Sequence, residues 1–443
     1  MTDLRALLAD VLPASRADLE ALARIPSISS EPEHQSDVRA AIDRVAQLAT
    51  GAGAQQVDVV DAGGHPGLIA HWPAPEGMPT VLLYAHADVQ PTGPLEEWTS
   101  PPFEPTERDG RLYGRGAADD KAGVLMHLAV LRAFQGRPPV GVVLFIEGEE
   151  EIGSPTLTAL LAQHRDALRS DVIVIADSAN AAVDVPAFTT SLRGLVDVYV
   201  EVRLLERPVH SGMFGGPSGD ALTILCRLLA TLHDADGNVA VDGLHMGAST
   251  APDIDEQVYR ADAGLVPSAQ LIGCGSIVDR LWDKPSAAVI GIDAPSTAQA
   301  SNVLLPKARA KVSLRIAPGD DAATAMKALT QHLESRVEWG AEISVTEGSS
   351  GDAFSLETSG AVYDLARKTF AEAYGNAAVE SGIGGSIPFI AEFARTYPGA
   401  TVLVTGVGDP SSRWHGIDES LDLAMWERAC LAEALLLQGL AAG

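Results

Sequence analysis

Three short apolar runs in this chain end in residues able to hold a cation or move a proton. Leu82-Leu-Tyr-Ala85 leads into His86-Ala-Asp88, Phe145-Ile146 into Glu147-Gly-Glu-Glu-Glu151, and Ile173-Val-Ile-Ala176 into Asp177. A fourth acidic pair, Asp119-Asp120, follows the turn Gly114-Arg-Gly116 and opens a helical stretch. A late histidine, His415, sits in Ser411-Ser-Arg-Trp-His-Gly-Ile-Asp-Glu419, just after the apolar run Thr401-Val-Leu-Val404. Each cluster alone has an ordinary structural explanation. A His-x-Asp at a strand end is usually structural, a triple glutamate is usually a solvated turn, and acids at a helix start complement its dipole. Their joint placement is what points to chemistry. Carboxylates gathered at one sheet edge repel one another and shift upward in pKa, and a pair of divalent cations removes that penalty. Imidazole plus carboxylate suits Zn²⁺ and tolerates Mn²⁺ or Co²⁺. His86, Asp119, Glu151, Asp177 and His415 supply such a site if Asp119 bridges two ions. Asp88, two residues past His86, is expected to bond the free imidazole nitrogen and fix its tautomer.

These residues need a scaffold that brings strand ends together. Thr80–Ala85, Val140–Ile146, Val172–Ala176 and Thr401–Val404 are short and uniformly apolar, as strands buried on both faces are. Helical patterns lie between them, at Ala122–Phe134 and Leu157–Leu168. This alternation predicts an α/β domain with a mostly parallel central sheet flanked by helices, whose ligands gather beyond the carboxyl ends of the strands. The first 50 residues read as helices, with Ser36 as the cap of a second run through Val38, Ile42, Val45 and Leu48. Near residue 188 the period changes to two, with Val196, Val198, Val200, Val202 and Leu204 on one face and Asp197, Tyr199, Glu201 and Arg203 on the other. The order that follows is β-α-β-β-α-β with an irregular insertion at 234–284, which predicts an inserted ferredoxin-like α/β domain. The expected division is a catalytic domain at 1–187 and 350–443, interrupted by an inserted domain at 188–349.

Composition bounds the rest. The chain has 443 residues, 46% of them hydrophobic, with 31 Lys plus Arg against 59 Asp plus Glu, a formal charge of −28. Such a field repels phosphate backbones and anionic membranes, so nucleic acid and membrane partners are not expected. The five acids at the sheet edge account for little of that charge, and the remainder reads as a solvated surface. No apolar run reaches the ~18 residues of a membrane span. The acidic N-terminus lacks a basic region ahead of an apolar core, which gives an expectation of a soluble cytoplasmic protein. Cys226, Cys274 and Cys430 are odd in number, widely spaced and in apolar contexts, so buried free thiols are expected.

At this point the blocks Tyr84-Ala-His-Ala-Asp-Val-Gln-Pro91, Tyr113-Gly-Arg-Gly-Ala-Ala-Asp-Asp-Lys121, Glu147-Gly-Glu-Glu-Glu-Ile-Gly-Ser154, Ile175-Ala-Asp177 and His415 form an ordered set. Together they resemble the dinuclear zinc metallopeptidase family of carnosinase-like dipeptidases, glutamate carboxypeptidase, aminoacylase, acetylornithine deacetylase and succinyl-diaminopimelate desuccinylase. The dipeptidases are the nearest resemblance, on Trp98–Phe103, the doubled Asp119-Asp120, Glu150-Glu151-Ile-Gly-Ser154, Pro208-Val-His-Ser-Gly-Met-Phe-Gly-Gly216 and Gly384-Gly-Ser-Ile-Pro388. The resemblance implies that His86 and Asp177 hold one metal and Glu151 and His415 the other, with Asp119 bridging and Glu150 as general base and acid. It also implies a cis peptide at Asp119–Asp120 and an inserted domain that serves as lid and dimerisation domain. There His210 would reach the substrate carbonyl, often from the partner of a homodimer, and Arg315 would grip the substrate carboxylate. Asn302 and Ser386 are further substrate-contact candidates. One departure is Ala122, where the family commonly has glycine directly after the lysine; a small backbone adjustment is expected.

The implied reaction is metal-dependent hydrolysis of the peptide bond in dipeptides or short peptides with a free carboxylate. The alternative on the same residues is an N-acyl-amino-acid deacylase acting on acetyl- or succinyl-amino acids. A non-catalytic binding protein on this scaffold would lack the base or a ligand, and neither is missing. A nucleotide-binding protein is disfavoured because Gly114-Arg-Gly-Ala-Ala-Asp119 carries no phosphate-loop fingerprint.

Overall fold

The computed structural model describes residues 3–249, 251, 253–384 and 388–442. Its backbone separates into two compact units, Met1–Thr190 with Glu357–Ser381 and Pro388–Gly443, and Ser191–Leu356 with Gly382–Ile387.

The first unit is built on a six-stranded sheet in the order Gln56–Val60, Gly67–Trp72, Gly141–Glu147, Thr80–His86, Val172–Ile175, Thr401–Val404. The last four of these run parallel, and the first two add an antiparallel margin that the apolar runs alone do not disclose. Thr80–His86 lies at the centre and is buried from Val81 to His86, as a strand covered on both faces must be. Leu4–Ala23, Gln35–Gly51, Lys121–Ala133 and Leu423–Leu440 supply much of the helical cover, and their apolar stripes join the sheet in one core with Leu83, Leu125, Leu128, Leu144 and Trp426. Leu4–Ala23 is one continuous helix despite Pro13. Ser36 is not the cap of the next helix: the helix already begins at Gln35, after a 3-10 turn at Pro32–His34, so His34 is the N-cap position and Ser36 lies inside. A second, small sheet of three-residue strands pairs Thr106–Arg108, Arg111–Tyr113 and Ser420–Asp422 antiparallel.

The second unit has a four-stranded antiparallel sheet ordered Ser286–Asp293, Lys307–Ile316, Gly194–Arg203, Glu342–Gly351. In chain order this is 2-3-1-4, the ferredoxin-like arrangement, and helices Ala221–Ala230 and Ala322–Arg336 pack on one face. Val196, Val198, Val200 and Val202 meet Ile224, Leu225, Leu228, Leu329 and Leu333 there. On the other face Asp197 is buried rather than solvated, and Lys311 reaches its carboxylate at 3.1 Å. The insertion at 234–284 is not wholly irregular; it holds the helix Glu256–Asp262, capped by the Asp255 side chain.

All three cysteines are free thiols, but only Cys430 is buried. Cys226 falls off the Ile224-Leu225-Leu228 stripe of its helix, and Cys274 lies on an exposed loop beside Asn238. Local apolar sequence does not reveal which side of a helix faces water. Among the described residues no helix is long and apolar enough to cross a membrane.

Candidate metal centre

The parallel register gathers the site. His86 lies opposite Glu147, and Tyr84 lies opposite both Phe145 and Ile175, so the segments leaving three strands emerge at one edge of the sheet. All seven of the residues His86, Asp88, Asp119, Glu150, Glu151, Asp177 and His415 belong to the first unit.

His86 is fully buried. Its Nε2 lies 3.1 Å from Asp119 Oδ1, 3.8 Å from Asp177 Oδ2 and 3.9 Å from Glu150 Oε2. His415 Nε2 lies 3.1 Å from Asp119 Oδ2 and 3.2 Å from Glu151 Oε2. Asp119 thus turns one carboxylate oxygen toward each imidazole, the disposition a bridging ligand needs. The peptide bond between Asp119 and Asp120 is cis. Ligand atoms of His86, Asp119 and Glu151, and again of His86, Glu150 and Asp177, fall within 4.8 Å of one another. Glu150 therefore sits within reach of the same space as the ligands.

Asp88 differs in detail from the sequence expectation. The hydrogen-bond partner of His86 Nδ1 is the Asp88 backbone carbonyl at 3.1 Å, with the carboxylate at 3.4 Å. That carboxylate instead accepts the backbone N–H of Glu150 at 3.2 Å and of Glu151 at 3.0 Å, because the 3-10 turn Glu150–Ile152 points its first amides at it. Asp88 thereby holds the turn that carries both glutamates. Gln90, a residue the sequence reading missed, donates to Glu151 Oε2 at 2.9 Å and to its carbonyl at 3.0 Å. The close approach that requires glycine falls one residue beyond Ala122: a Cβ at Gly123 would lie 2.3 Å from Asp120 Oδ1, while Ala122 is buried without such a clash.

The electrostatics describe a site that demands positive charge. Burial and Asp177 raise the Glu150 carboxyl well above the usual carboxylate range. Burial and Asp119 raise Glu151. Burial, opposed by His86 and reinforced by Asp119, pushes Asp177 up to about 7. Burial depresses the His86 imidazole, but Asp119 and Asp88 reverse this and leave it well above its ordinary value. Hydrogen bonds to Asp119 and Glu151 lift His415 to about 10. Burial favours the neutral form of Asp119, yet His415 and His86 overcome it and hold its carboxyl below the ordinary value. Carboxylates that recruit protons, and imidazoles driven toward their cations, fit a donor set for divalent metal ions.

The remaining candidates lie in the second unit. His210 is exposed, and its Nδ1 accepts the Gly212 N–H at 3.0 Å. The strand pair Val209–His210 and Val303–Leu304, with Ser211 N–H donating to the Asn302 carbonyl at 2.9 Å, puts Asn302 beside it. Arg315 stands on the sheet opposite Leu195 and Ser286. Ser386 lies outside the described residues.

An α/β unit in which a buried histidine, an exposed histidine and buried carboxylates converge at the carboxyl edge of the sheet fits a metal-dependent hydrolase. The chain belongs to peptidase family M20/M25/M40, whose model matches residues 82–439. It is 36% identical over 366 residues to a cysteinylglycine-S-conjugate dipeptidase of Corynebacterium striatum, covering 81% of this chain and 80% of that protein. It is 31% identical to a Beta-Ala-His dipeptidase of Mus musculus over 61% of this chain and 58% of that protein. Human carnosine dipeptidase 1 superposes with a TM-score of 0.78 at 25% identity, over 99% of each chain. The protein is a metallopeptidase.

Proposed function

We propose that the protein hydrolyses dipeptides bearing a free carboxylate, using two divalent ions, Zn²⁺ foremost, with Mn²⁺ or Co²⁺ as substitutes. His86 and Asp177 would hold one ion, Glu151 and His415 the other, and Asp119 would bridge. The observation that carries this reading is the carboxylate of Asp119, one oxygen 3.1 Å from each imidazole. Such ions, when bound, lower the pKa of a water and polarise the scissile carbonyl. Glu150 accepts the proton of the attacking water and delivers it to the leaving amine; a carboxyl raised by burial and Asp177 is a stronger base than a solvated one. Asp88 keeps Glu150 in place through the backbone amides it accepts. With His210 Nδ1 accepting from Gly212, the ring proton resides on Nε2, where it can donate to the developing oxyanion. Arg315 grips the substrate carboxylate in a two-pronged contact, with Asn302 and Ser386 as further contacts. The second unit would act as a lid and as the dimerisation domain, with His210 reaching the site of a partner copy.

The dipeptidase names of the relatives support dipeptides over acylated amino acids. Parallel assays on a dipeptide panel and on N-acetyl- and N-succinyl-amino acids test the choice. Faster turnover of dipeptides is expected, and exclusive turnover of the acylated amino acids would replace this reading with a deacylase. Arg315→Met should raise KM for a dipeptide and leave the corresponding dipeptide amide little changed. Mixing a His210→Ala chain with a Glu150→Ala chain should restore activity if the site is shared between copies, and no recovery would place His210 in its own chain's site.

A further inference from the structure

The site depends on two loops that are about 300 residues apart in sequence, and the small sheet explains how they meet. Tyr113 pairs with Ser420, and the ladder continues as the Gly114 N–H donates to the Glu419 carbonyl at 3.0 Å. In an antiparallel pair, the chain leaving one strand runs beside the chain entering the other. The turn that carries Asp119 and the loop that carries His415 therefore emerge together.

Glu419 fastens them. Its side chain is fully buried. One oxygen accepts Arg115 Nη1 at 2.6 Å and the Gly116 N–H at 3.1 Å, and the other accepts the N–H of Ala118 at 2.9 Å and of Asp119 itself at 3.1 Å. Arg115, also buried, donates Nη2 to the carbonyl of Gly416, next to His415, at 3.2 Å and to that of Pro91 at 3.1 Å. Its guanidinium lies 5.6 Å from the centre of the Trp98 ring. Burying an ion pair is costly, and apolar replacements of equal volume are often no less stable. What an apolar pair cannot do is accept three backbone N–H groups from one turn while donating to the neighbouring loop. An amide cannot do it either, having a single acceptor oxygen.

We propose that Glu419, together with Arg115, is a positioning residue that fixes Asp119 relative to His415 and so sets the affinity of the ion shared by Asp119, Glu151 and His415. The inference rests on the ligand roles given under the proposed function. Asp119 would bridge both ions, but the ion shared with His415 should feel the change most, because His86, at the end of one buried strand, and Asp177, just past another, are not among the residues the pair bonds. His415, by contrast, lies on a loop with a left-handed backbone, φ of 58°, and a side chain 57% exposed, and the Arg115 bond to the Gly416 carbonyl acts right beside it.

The test is calorimetric titration of the full-length apo-protein with Zn²⁺, together with steady-state kinetics on a dipeptide. The wild type is expected to bind in two steps. Glu419→Gln should weaken one step by about tenfold or more and the other several-fold less, with kcat falling more than KM rises. Arg115→Lys, which keeps the charge and loses the fork, should weaken the same step, and it gives the answer if the glutamine variant does not fold. Unchanged affinity at both steps, even with a lowered melting temperature, overturns the proposal. Equal weakening of both steps also overturns it. His415→Ala separates the two levels of the argument: it should abolish the same step, and if it leaves both steps intact, the ligand assignment itself is wrong whatever Glu419→Gln does.

Discussion

The two histidines of the centre are held in opposite ways. His86 is the last residue of a strand buried on both faces, has no exposed side-chain surface, and is surrounded by Asp119, Asp177 and Glu150. His415 sits on a loop, in a left-handed backbone conformation, with more than half its side chain exposed. Yet both meet the same carboxylate at the same 3.1 Å. One half of the site is thus made rigid by the core of the sheet, and the other by hydrogen bonds that tie a loop to a turn. The lesson is that equal geometry can conceal unequal support, and that the two ions proposed for this centre should respond differently to perturbation.

The largest contrast should come from the histidines themselves. His86→Ala removes a buried partner from four carboxyl groups and should lower the stability of the apo-protein by about 2–4 kcal/mol. His415→Ala removes an exposed one and should cost less than about 1 kcal/mol. Urea unfolding of both metal-free variants measures the difference, and equal losses would break the comparison.

Acid should act on both halves, because His415, lifted to about 10, also carries a proton that an incoming ion must displace. A carboxyl raised to about 7, as Asp177 is, carries a proton below that pH, and an incoming ion must displace it. Zn²⁺ affinity should fall by roughly tenfold per unit as pH drops below 7, with about one proton released per ion from this group. Titrations in buffers of different ionisation enthalpy count those protons, and affinity that stays flat between pH 5.5 and 7 would contradict the assignment.

Gly123→Ala forces a methyl toward Asp120, whose other oxygen accepts the His86 N–H at 3.3 Å. A loss of about 1–3 kcal/mol is expected on thermal unfolding, as for other overpacked sites. Should the melting point stay unchanged, the turn is more compliant than this packing implies. The smallest effect belongs to Gln90→Leu, which removes one of the two partners of Glu151 Oε2 and leaves His415 as the other. It should weaken only the loop-side ion, by a few-fold and at most about tenfold. A change in the strand-side ion instead would blur the division drawn above.

How much of this was readable in the chain follows the same division. The clusters after Ala85, Ile146 and Ala176 were legible because a short, uniformly apolar run marks a doubly covered strand, and parallel strands deliver their ends to one edge. The inserted sheet was legible from the period of two through Val196–Val202. Resemblance, not spacing, assigned the division of roles between Glu150 and Glu151. What escaped was set by contacts distant in sequence. In sequence Glu419 is only the end of a loop, because nothing local says that it accepts from Asp119. The strands Arg111–Tyr113 and Ser420–Asp422 are three residues each, too short to show a period. The exposure of Cys226 and the burial of Asp197 depend on which face a partner element covers, which composition does not encode.

The most direct test of the central claim is to measure zinc content and dipeptide turnover together in Glu150→Ala. Two ions per chain are expected, as in the wild type, with turnover reduced by at least about a hundredfold because the proton acceptor is gone. Dipeptide hydrolysis at the wild-type rate with both ions bound would contradict it.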